Sequence, residues 1–117
     1  MLGFRHGCFR RRHSDDIAIL DIAGRITLAD NSELVRSTVK ELVNAGHRKI
    51  VLNLAGVTYI DSAGLAELAG AYATVAALGG KVRLLNPQSR VTEMLRLTGI
   101  STMFVTFVDE DHALRSF

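Results

Sequence analysis

The chain has little cysteine: Cys8 is the single one among 117 residues. A lone cysteine cannot close an internal disulfide, and such usage suits a reducing compartment, so we expect a cytoplasmic protein. Apolar residues make up 48% of the chain, which at this length is enough to bury a core without disulfides or metals. The composition therefore predicts a single domain over residues 1–117, in which residues 1–13 form either an edge strand or a poorly ordered basic segment.

Long apolar runs are also missing. The longest candidate, residues 64–80, is shorter than the ~18 to 20 residues that cross a bilayer, and it contains Glu67 and many small side chains. We therefore expect no membrane span. The basic residues near the amino terminus are followed by Asp15 and Asp16 rather than by a cleavage site, which is typical of a mature protein.

The sequence has no strong charge of one sign and no common cofactor motif. Its formal net charge is +2, and the excess lies in the first thirteen residues instead of along a helix, so we expect no nucleic-acid partner. No Cys, His and Asp spacing is typical of a metal site, and neither common glycine-rich phosphate loop is present. We expect no cofactor.

Apolar periodicity predicts an α/β fold. Short β-branched runs alternate with helical patterns in the order β-β-α-β-α-β-α-β-α. The predicted strands cover residues 3–12, 17–24, 49–54, 81–85 and 103–108, and residues 55–60 are predicted to form a loop with apolar anchors. Helices that separate the later strands predict a mixed, mostly parallel sheet of four to five strands, flanked by about four helices.

The first predicted helix has the clearest pattern. Asn31 and Ser32 are candidate amino-terminal caps, and Gly46 is a typical stop. Six residues at helical spacing form the predicted apolar stripe: Leu34, Val35, Thr38, Val39, Leu42 and Val43. Charged residues fall on the opposite side, so the helix is predicted to pack one face on the sheet.

Asp61 and Ser62 form the most informative polar pair. They lie between an apolar anchor and a helix that runs to about residue 78, where α/β folds usually place their sites, so the Ser62 hydroxyl should be exposed. Composition alone favours a helix cap. However, Gly64 and Leu65 stand where a capping box has Glu or Gln, so the pair is not arranged for capping only.

Ser62 lacks the surroundings of a nucleophile. A hydrolase elbow has glycine two residues before the serine, and Ile60 is found there. The four histidines lie in other segments, with no evident link to Ser62: His6, His13, His47 and His112. The sequence therefore predicts a protein that is not an enzyme.

The helix after Ser62 has few charges. Leu65, Leu68, Tyr72 and Val75 form one packing stripe, while most other positions are Ala, Gly and Thr. Such a small apolar face is typical of a docking surface, and burial within a larger fold is an equal alternative. In so short a chain we expect docking.

Three segments together resemble a known family. They are residues 51–54 (VLNL), 59–65 (YIDSAGL) and 79–86 (GGKVRLLN). Their order and sequence resemble the STAS domain of anti-sigma factor antagonists, from about Ile17 onward. The resemblance implies that Ser62 is phosphorylated by a cognate anti-sigma factor serine kinase, which is bound when Ser62 is unphosphorylated, so that sigma-dependent transcription is regulated. A serine phosphatase is a further implied partner.

The resemblance also implies a partner-binding surface. Its residues in this chain are Asp61, Ser62, Ala63, Gly64, Leu65, Glu67, Thr27, Asp30 and Asn31. One departure concerns the loop at residues 25–30, where relatives carry an acidic residue near its start and this chain has Asp30 later. Two alternatives stay open: a scaffold or transporter-associated binding module in which Ser62 is only a cap, and a small nucleotide-binding or nucleotide-hydrolysing protein.

Overall fold

A computed structural model describes residues 7–117 and contains a mixed sheet of five strands in the order β1-β2-β3-β4-β5. The strands are β1 (Gly7–Ser14), β2 (Ile17–Ile26), β3 (Lys49–Ile60), β4 (Lys81–Leu85) and β5 (Val105–Phe107). β1 is antiparallel to β2, and the other neighbours are parallel. The predicted strand at residues 3–12 is confirmed from Gly7 onward, while its first four residues lie outside the described part.

Four α-helices connect or follow the parallel strands of the described chain. They are α1 (Ser32–Asn44), α2 (Ser62–Ala76), α3 (Ser89–Leu97) and α4 (Glu110–Arg115), and a 3₁₀ turn at Ile100–Met103 precedes β5. This arrangement confirms the predicted mixed sheet with flanking helices. Within residues 7–117, none of these helices combines the length and the apolar character that a bilayer crossing requires.

Alternation along the strands creates two apolar layers. Ala18, Leu20 and Ile22 of β2 face a large core that α1, α2 and α3 cover. Ile17 and Ile19 point to the other face, where Ala113 of α4 packs on them. Because successive strand residues point to opposite faces, one run of buried residues in β2 serves both layers.

The prediction of a loop at residues 55–60 was wrong, since β3 continues to Ile60. β2 and β3 stay paired beyond an irregularity, with Ala23 opposite Gly56 and Ile26 opposite Ile60. A β-carbon on Gly56 would lie 2.8 Å from the β-carbon of Ala23, so the bulged pairing needs a glycine there. Glycine is typical of loops, so its presence within this strand led to the prediction of a loop.

Two further predictions need correction. Leu34, predicted on the apolar stripe of α1, is 49% exposed, because it lies at the edge of the stripe near the start of the helix. The last strand is also shorter than predicted: residues 100–103 form the 3₁₀ turn, and Phe104 is buried in the large core instead of extending β5. Gly46, in contrast, ends α1 as predicted, with φ at +100°.

Arginines of β1 form an ionic cluster on the α4 side of the sheet. Arg12 donates to Asp21 at 2.6 Å and to Glu110 at 2.8 Å. Arg10 donates to the same Asp21 carboxylate at 3.0 Å, and the amide of Asn53 donates to it at 2.8 Å. This group, hereafter the Asp21 cluster, joins the edge strand to two neighbouring strands and to the last helix.

The Asp21 cluster should make stability depend on acid pH. Burial favours the neutral carboxyl, but hydrogen bonds from Arg12, Asn53 and Arg10 outweigh it and lower the pKa of Asp21 to about 2. A carboxyl whose pKa is depressed by folding stabilises the fold above its unfolded pKa of ~3.8, and this contribution is lost as the pH falls toward 2. Asp21 should therefore contribute about 2 kcal/mol at pH 5 that is absent at pH 2.

Urea unfolding of the wild type and of Asp21→Asn at several pH values measures this contribution. The difference between the two proteins should shrink by about 2 kcal/mol between pH 5 and pH 2. Glu93→Gln is the control, because its ion pair with Arg96 is exposed and should change the pH profile little. A pH-independent difference for Asp21→Asn would contradict the assignment.

Candidate functional site

The candidate site lies where β2 and β3 end. Parallel strands bring their carboxyl ends to one edge of the sheet, so the loop at residues 27–31 and the start of α2 become neighbours. The N–H of Asp61 donates to the Ile26 carbonyl at 3.3 Å, which extends the contact between the strands by one residue. The two segments that the sequence analysis selected separately are thus joined by backbone.

Asp61 caps α2 and also ties the loop to it. One carboxylate oxygen accepts from the N–H of Gly64 at 2.9 Å, and the other accepts from the N–H of Leu28 at 3.0 Å. Partial burial opposes ionisation, but the hydrogen bonds from the N–H groups of Gly64, Leu28 and Ala63 lower the pKa of Asp61 below its ordinary value. The carboxylate is therefore ionised at neutral pH.

Ser62 is the first residue of α2, and it is exposed. Its neighbours differ: Ala63 is half-buried, whereas Gly64 and Leu65 are buried. The N–H groups of a first helical turn and the helix dipole favour negative charge at this position. The residue that carries the hydroxyl, Ser62, is thus exposed to solvent next to the Asp61 carboxylate, and the buried Gly64 and Leu65 hold the start of the helix on the domain.

Gly64 allows α2 to cross the end of β2 at very short range. A β-carbon there would lie 2.2 Å from the Ile26 carbonyl oxygen and 2.7 Å from the Ile60 side chain. Real β-carbons do not approach atoms so closely, so this position requires glycine. The glycine places Ser62 at the sheet edge by letting the helix lie directly on the strand.

The 27–31 loop is held by its own buried groups. The backbones of Thr27 and Asp30 exchange hydrogen bonds at 2.7 and 3.0 Å, and the Asp30 carboxylate accepts from Arg25 at 2.7 Å. Thr27 and Asp30 are only 8% and 5% exposed. Their side chains therefore fix the shape of the loop, while its surface is formed by other residues.

Asn31 holds the cap position of α1 but does not cap it with its side chain. Its backbone is left-handed, with φ at +70°, and its amide donates to the Arg25 carbonyl at 2.7 Å. The predicted cap position is therefore confirmed, but the side chain of Asn31 makes no capping hydrogen bond. Ser32, the other candidate cap, is a buried first residue of the helix.

Leu28 is the site residue that sequence reasoning missed. It is 81% exposed, and together with Leu34 it borders an open groove of about 490 Å³. The remaining lining residues of this Leu28 groove are Ala29, Asn31, Ser32, Glu33 and Ser37. The available signal was an apolar residue in the middle of a polar turn, and exposed apolar side chains at one place are typical of interaction surfaces.

Glu67 lies farther along α2 and pairs with Arg36 of α1 at 2.6 Å. The pair joins the two helices beside the site, so the Glu67 carboxylate is already engaged. The described histidines lie elsewhere: His13 and His47 are near the other end of β2 and β3, and His112 packs on Phe107 in the α4 layer. His6 lies outside the described residues. Across residues 7–117 there is no cluster of three or more potential metal ligands.

Comparisons with known proteins agree with the fold described above. Residues 9–113 match the sequence profile of the STAS domain. The chain is 31% identical, over 87 residues, to a proposed anti-sigma factor antagonist from Thermotoga neapolitana, and the match covers 74% of this chain and 76% of that protein. A crystal structure of a proposed anti-sigma factor antagonist from Thermotoga maritima superposes with a TM-score of 0.85 at 25% identity, covering 97% of each chain.

The anti-sigma factor antagonist SpoIIAA has the same fold. Its unphosphorylated form superposes with a TM-score of 0.77 at 19% identity and covers 92% of this chain and 93% of that chain. The phosphorylated form, from Bacillus, has a TM-score of 0.71 at 18% identity and covers 92% of this chain and 97% of that chain. At these identities the likeness concerns the fold.

Proposed function

The chain belongs to the STAS domain family, and from this we propose that it is an anti-sigma factor antagonist whose binding to an anti-sigma factor serine kinase is switched off by phosphorylation of Ser62. The observation that carries the proposal is an exposed serine at the start of α2, next to an ionised Asp61 whose carboxylate also holds the backbone of the exposed Leu28. The protein performs no catalysis of its own, acts in the cytoplasm, and so regulates sigma-dependent transcription.

The position of Ser62 suits reversible modification. An exposed hydroxyl is accessible to a kinase and to a serine phosphatase, and the positive end of the helix dipole favours a phosphate at a helix start. Because Asp61 already caps the helix from the preceding position, Ser62 is not needed as a cap. The phosphorylated domain should therefore stay folded.

Electrostatics explains how the modification would act on a partner. Phosphorylation adds ~1.5 to 2 negative charges next to the Asp61 carboxylate. Two unit charges ~6 Å apart repel by about 3 kcal/mol at an effective dielectric constant near 20, and solvent and salt reduce this in the free protein. A partner that covers Ser62 removes that solvent, so the cost appears mainly in the complex.

The contact surface extends from Ser62 to the Leu28 groove. Leu28 and Leu34 supply exposed apolar area, which typically forms the centre of a protein interface. Asp61, the buried Thr27 and Asp30, and the half-buried Asn31 hold this surface in place. Among the residues implied by the family resemblance, we therefore propose that Ser62 and Ala63 contact the partner directly. The buried Gly64 and Leu65 hold the start of α2 in position.

Intact-mass measurement tests the modification. The purified chain is incubated with ATP and with the kinase-like anti-sigma factors of its own organism. We expect one of them to add a single phosphate, about 80 Da, to the wild type. Ser62→Ala should gain nothing, and Ser37→Ala, which removes an exposed serine of the Leu28 groove, should be modified like the wild type.

The outcomes separate the candidate functions. Unchanged mass with every such kinase would favour a scaffold or transporter-associated binding module. Addition of phosphate to both Ser62→Ala and the wild type would assign the modification to another residue. Saturable binding of ATP or GTP to the isolated chain in calorimetry would instead support a nucleotide-binding protein.

A further inference from the structure

Two histidines meet at the end of the sheet opposite to Ser62. Alternate residues of β1 face α1: Phe9 packs on the large core, Arg11 pairs with Glu41, and His13 follows at the end of the strand. The Nε2 atom of His13 lies 3.3 Å from the Nε2 atom of His47, which precedes β3. Strand alternation thus brings His13 onto the turn that joins α1 to β3.

The backbone on both sides of this pair is held in place. His13 belongs to β1 and is paired with Ala18 of β2. His47 follows the left-handed Gly46, and its N–H donates to the Leu42 carbonyl at 3.0 Å, which closes the end of α1. The two rings are therefore presented by segments that the fold orders independently of any ligand.

The geometry of the rings suits a shared metal ion. Two Zn–N bonds of ~2.0 to 2.1 Å at a tetrahedral angle separate their nitrogens by roughly 3.3 Å. The ring centroids are 4.9 Å apart and the planes are inclined by 36°, so the two Nε2 atoms are nearer to each other than the rings are. We propose that His13 and His47 bind a divalent transition-metal cation of the Zn²⁺ class.

The residues around His13 and His47 determine the remaining ligands of the metal ion and its affinity. Within the described residues no further histidine, cysteine or carboxylate completes a set of three ligands, so water fills the remaining positions. Nearby cations oppose binding: Arg48 donates to the His47 carbonyl at 3.0 Å, and Lys49 pairs with Asp16 at 3.0 Å. The site should therefore be exchangeable and weaker than a structural zinc site.

Metal binding competes with a hydrogen bond between the rings. In two neutral imidazoles one Nε2 donates to the other, and metal binding requires both to be unprotonated. The proton of the donor moves to its own Nδ1 through solvent, so the rings stay neutral and no net proton is released. The bound ion would join the edge strand β1 to a turn 34 residues away.

Calorimetric titration with ZnCl₂ tests the site. The full chain carries Cys8→Ser and His6→Gln, so that neither a thiol nor a histidine outside the described residues can bind the ion. We expect one saturable site, no response to MgCl₂, and at least tenfold weaker binding in both His13→Gln and His47→Gln. His112→Gln is the matched control, because this histidine packs on Phe107, and should bind like the parent.

Thermal unfolding provides a second, independent measurement. A ligand that binds only the folded state raises the melting temperature with its concentration. Zn²⁺ should raise that of the parent and of His112→Gln, and not that of His13→Gln or His47→Gln, whose folding is verified by their melting curves without metal. The proposal fails if the parent shows no saturation below about 1 mM, or if either variant binds as tightly as the parent.

Discussion

Gly64→Ala should lower the free energy of unfolding by about 3 kcal/mol or more. The added methyl group would lie 2.2 Å from the Ile26 carbonyl oxygen, and this oxygen cannot easily move away. Ile26 is paired with Ile60 in the sheet, and its carbonyl accepts from the N–H of Asp61. Relief of the clash must therefore separate α2 from the strand, break the pairing, or displace the start of the helix.

Gly70→Ala is a matched control in the same helix. The three atoms nearest to a β-carbon at Gly70, at 3.3 to 3.4 Å, would all belong to the flexible side chain of Arg36. Alanine in a helix interior is favoured over glycine by ~0.5 to 1 kcal/mol, so this variant should be equal to the wild type or more stable. Urea unfolding measures both, and equal stability of the two variants would refute the close contact at Gly64.

Ser62→Asp should weaken binding to the anti-sigma factor kinase tenfold to a thousandfold. A second carboxylate beside Asp61, buried under a partner, adds repulsion and desolvation of about 1.4 to 4 kcal/mol, and each 1.4 kcal/mol changes the affinity by a factor of ten. Ser62→Ala adds no charge beside Asp61 and should bind as tightly as the wild type. ATP should release the wild type from the kinase and leave the Ser62→Ala complex intact.

Isothermal titration calorimetry or surface plasmon resonance with the purified kinase measures these affinities. Asn44→Asp is the control: it adds one negative charge at an exposed position at the far end of α1, and should change the affinity less than twofold. Equal affinities of Ser62→Asp and Ser62→Ala would eliminate the charge mechanism. A loss of affinity in Asn44→Asp comparable to that in Ser62→Asp would assign the effect to net charge instead of position.

The candidate site combines a rigid support with an accessible hydroxyl. Asp61 connects the 27–31 loop to α2 through its two oxygens, and Gly64 places the helix on the strand. Ordered supports of this kind keep a small surface in one arrangement, so we expect a single added charge to change partner affinity without unfolding the domain. We therefore expect substitutions of Gly64 to change the free energy of unfolding, and substitutions of Ser62 to change the affinity for the partner.

Local pattern was sufficient to predict most elements of this protein. The amphipathic α1 and its end at Gly46, the strand at Lys81–Leu85, and the helix start at Asp61 and Ser62 depend on residues that are near in sequence. Propensity, caps and periodicity act over a few residues, and the segments that carry them are readable without the fold. The exposed position of Ser62 was predictable for the same reason.

Contacts between distant residues required the tertiary structure. The extension of β3 to Ile60 depends on pairing with β2 across a bulge, and the bond from Leu28 to Asp61 joins residues 33 positions apart. The bond between Arg12 and Glu110 spans 98 positions. The sequence by itself determined most of the helices and strands and the region where α2 begins, because these depend on neighbours in the chain. Only the tertiary structure decided how far β3 extends, which buried groups hold the loop, which glycine allows α2 to lie on the strand, and which apolar side chain stays exposed, because these depend on atoms that folding brings together.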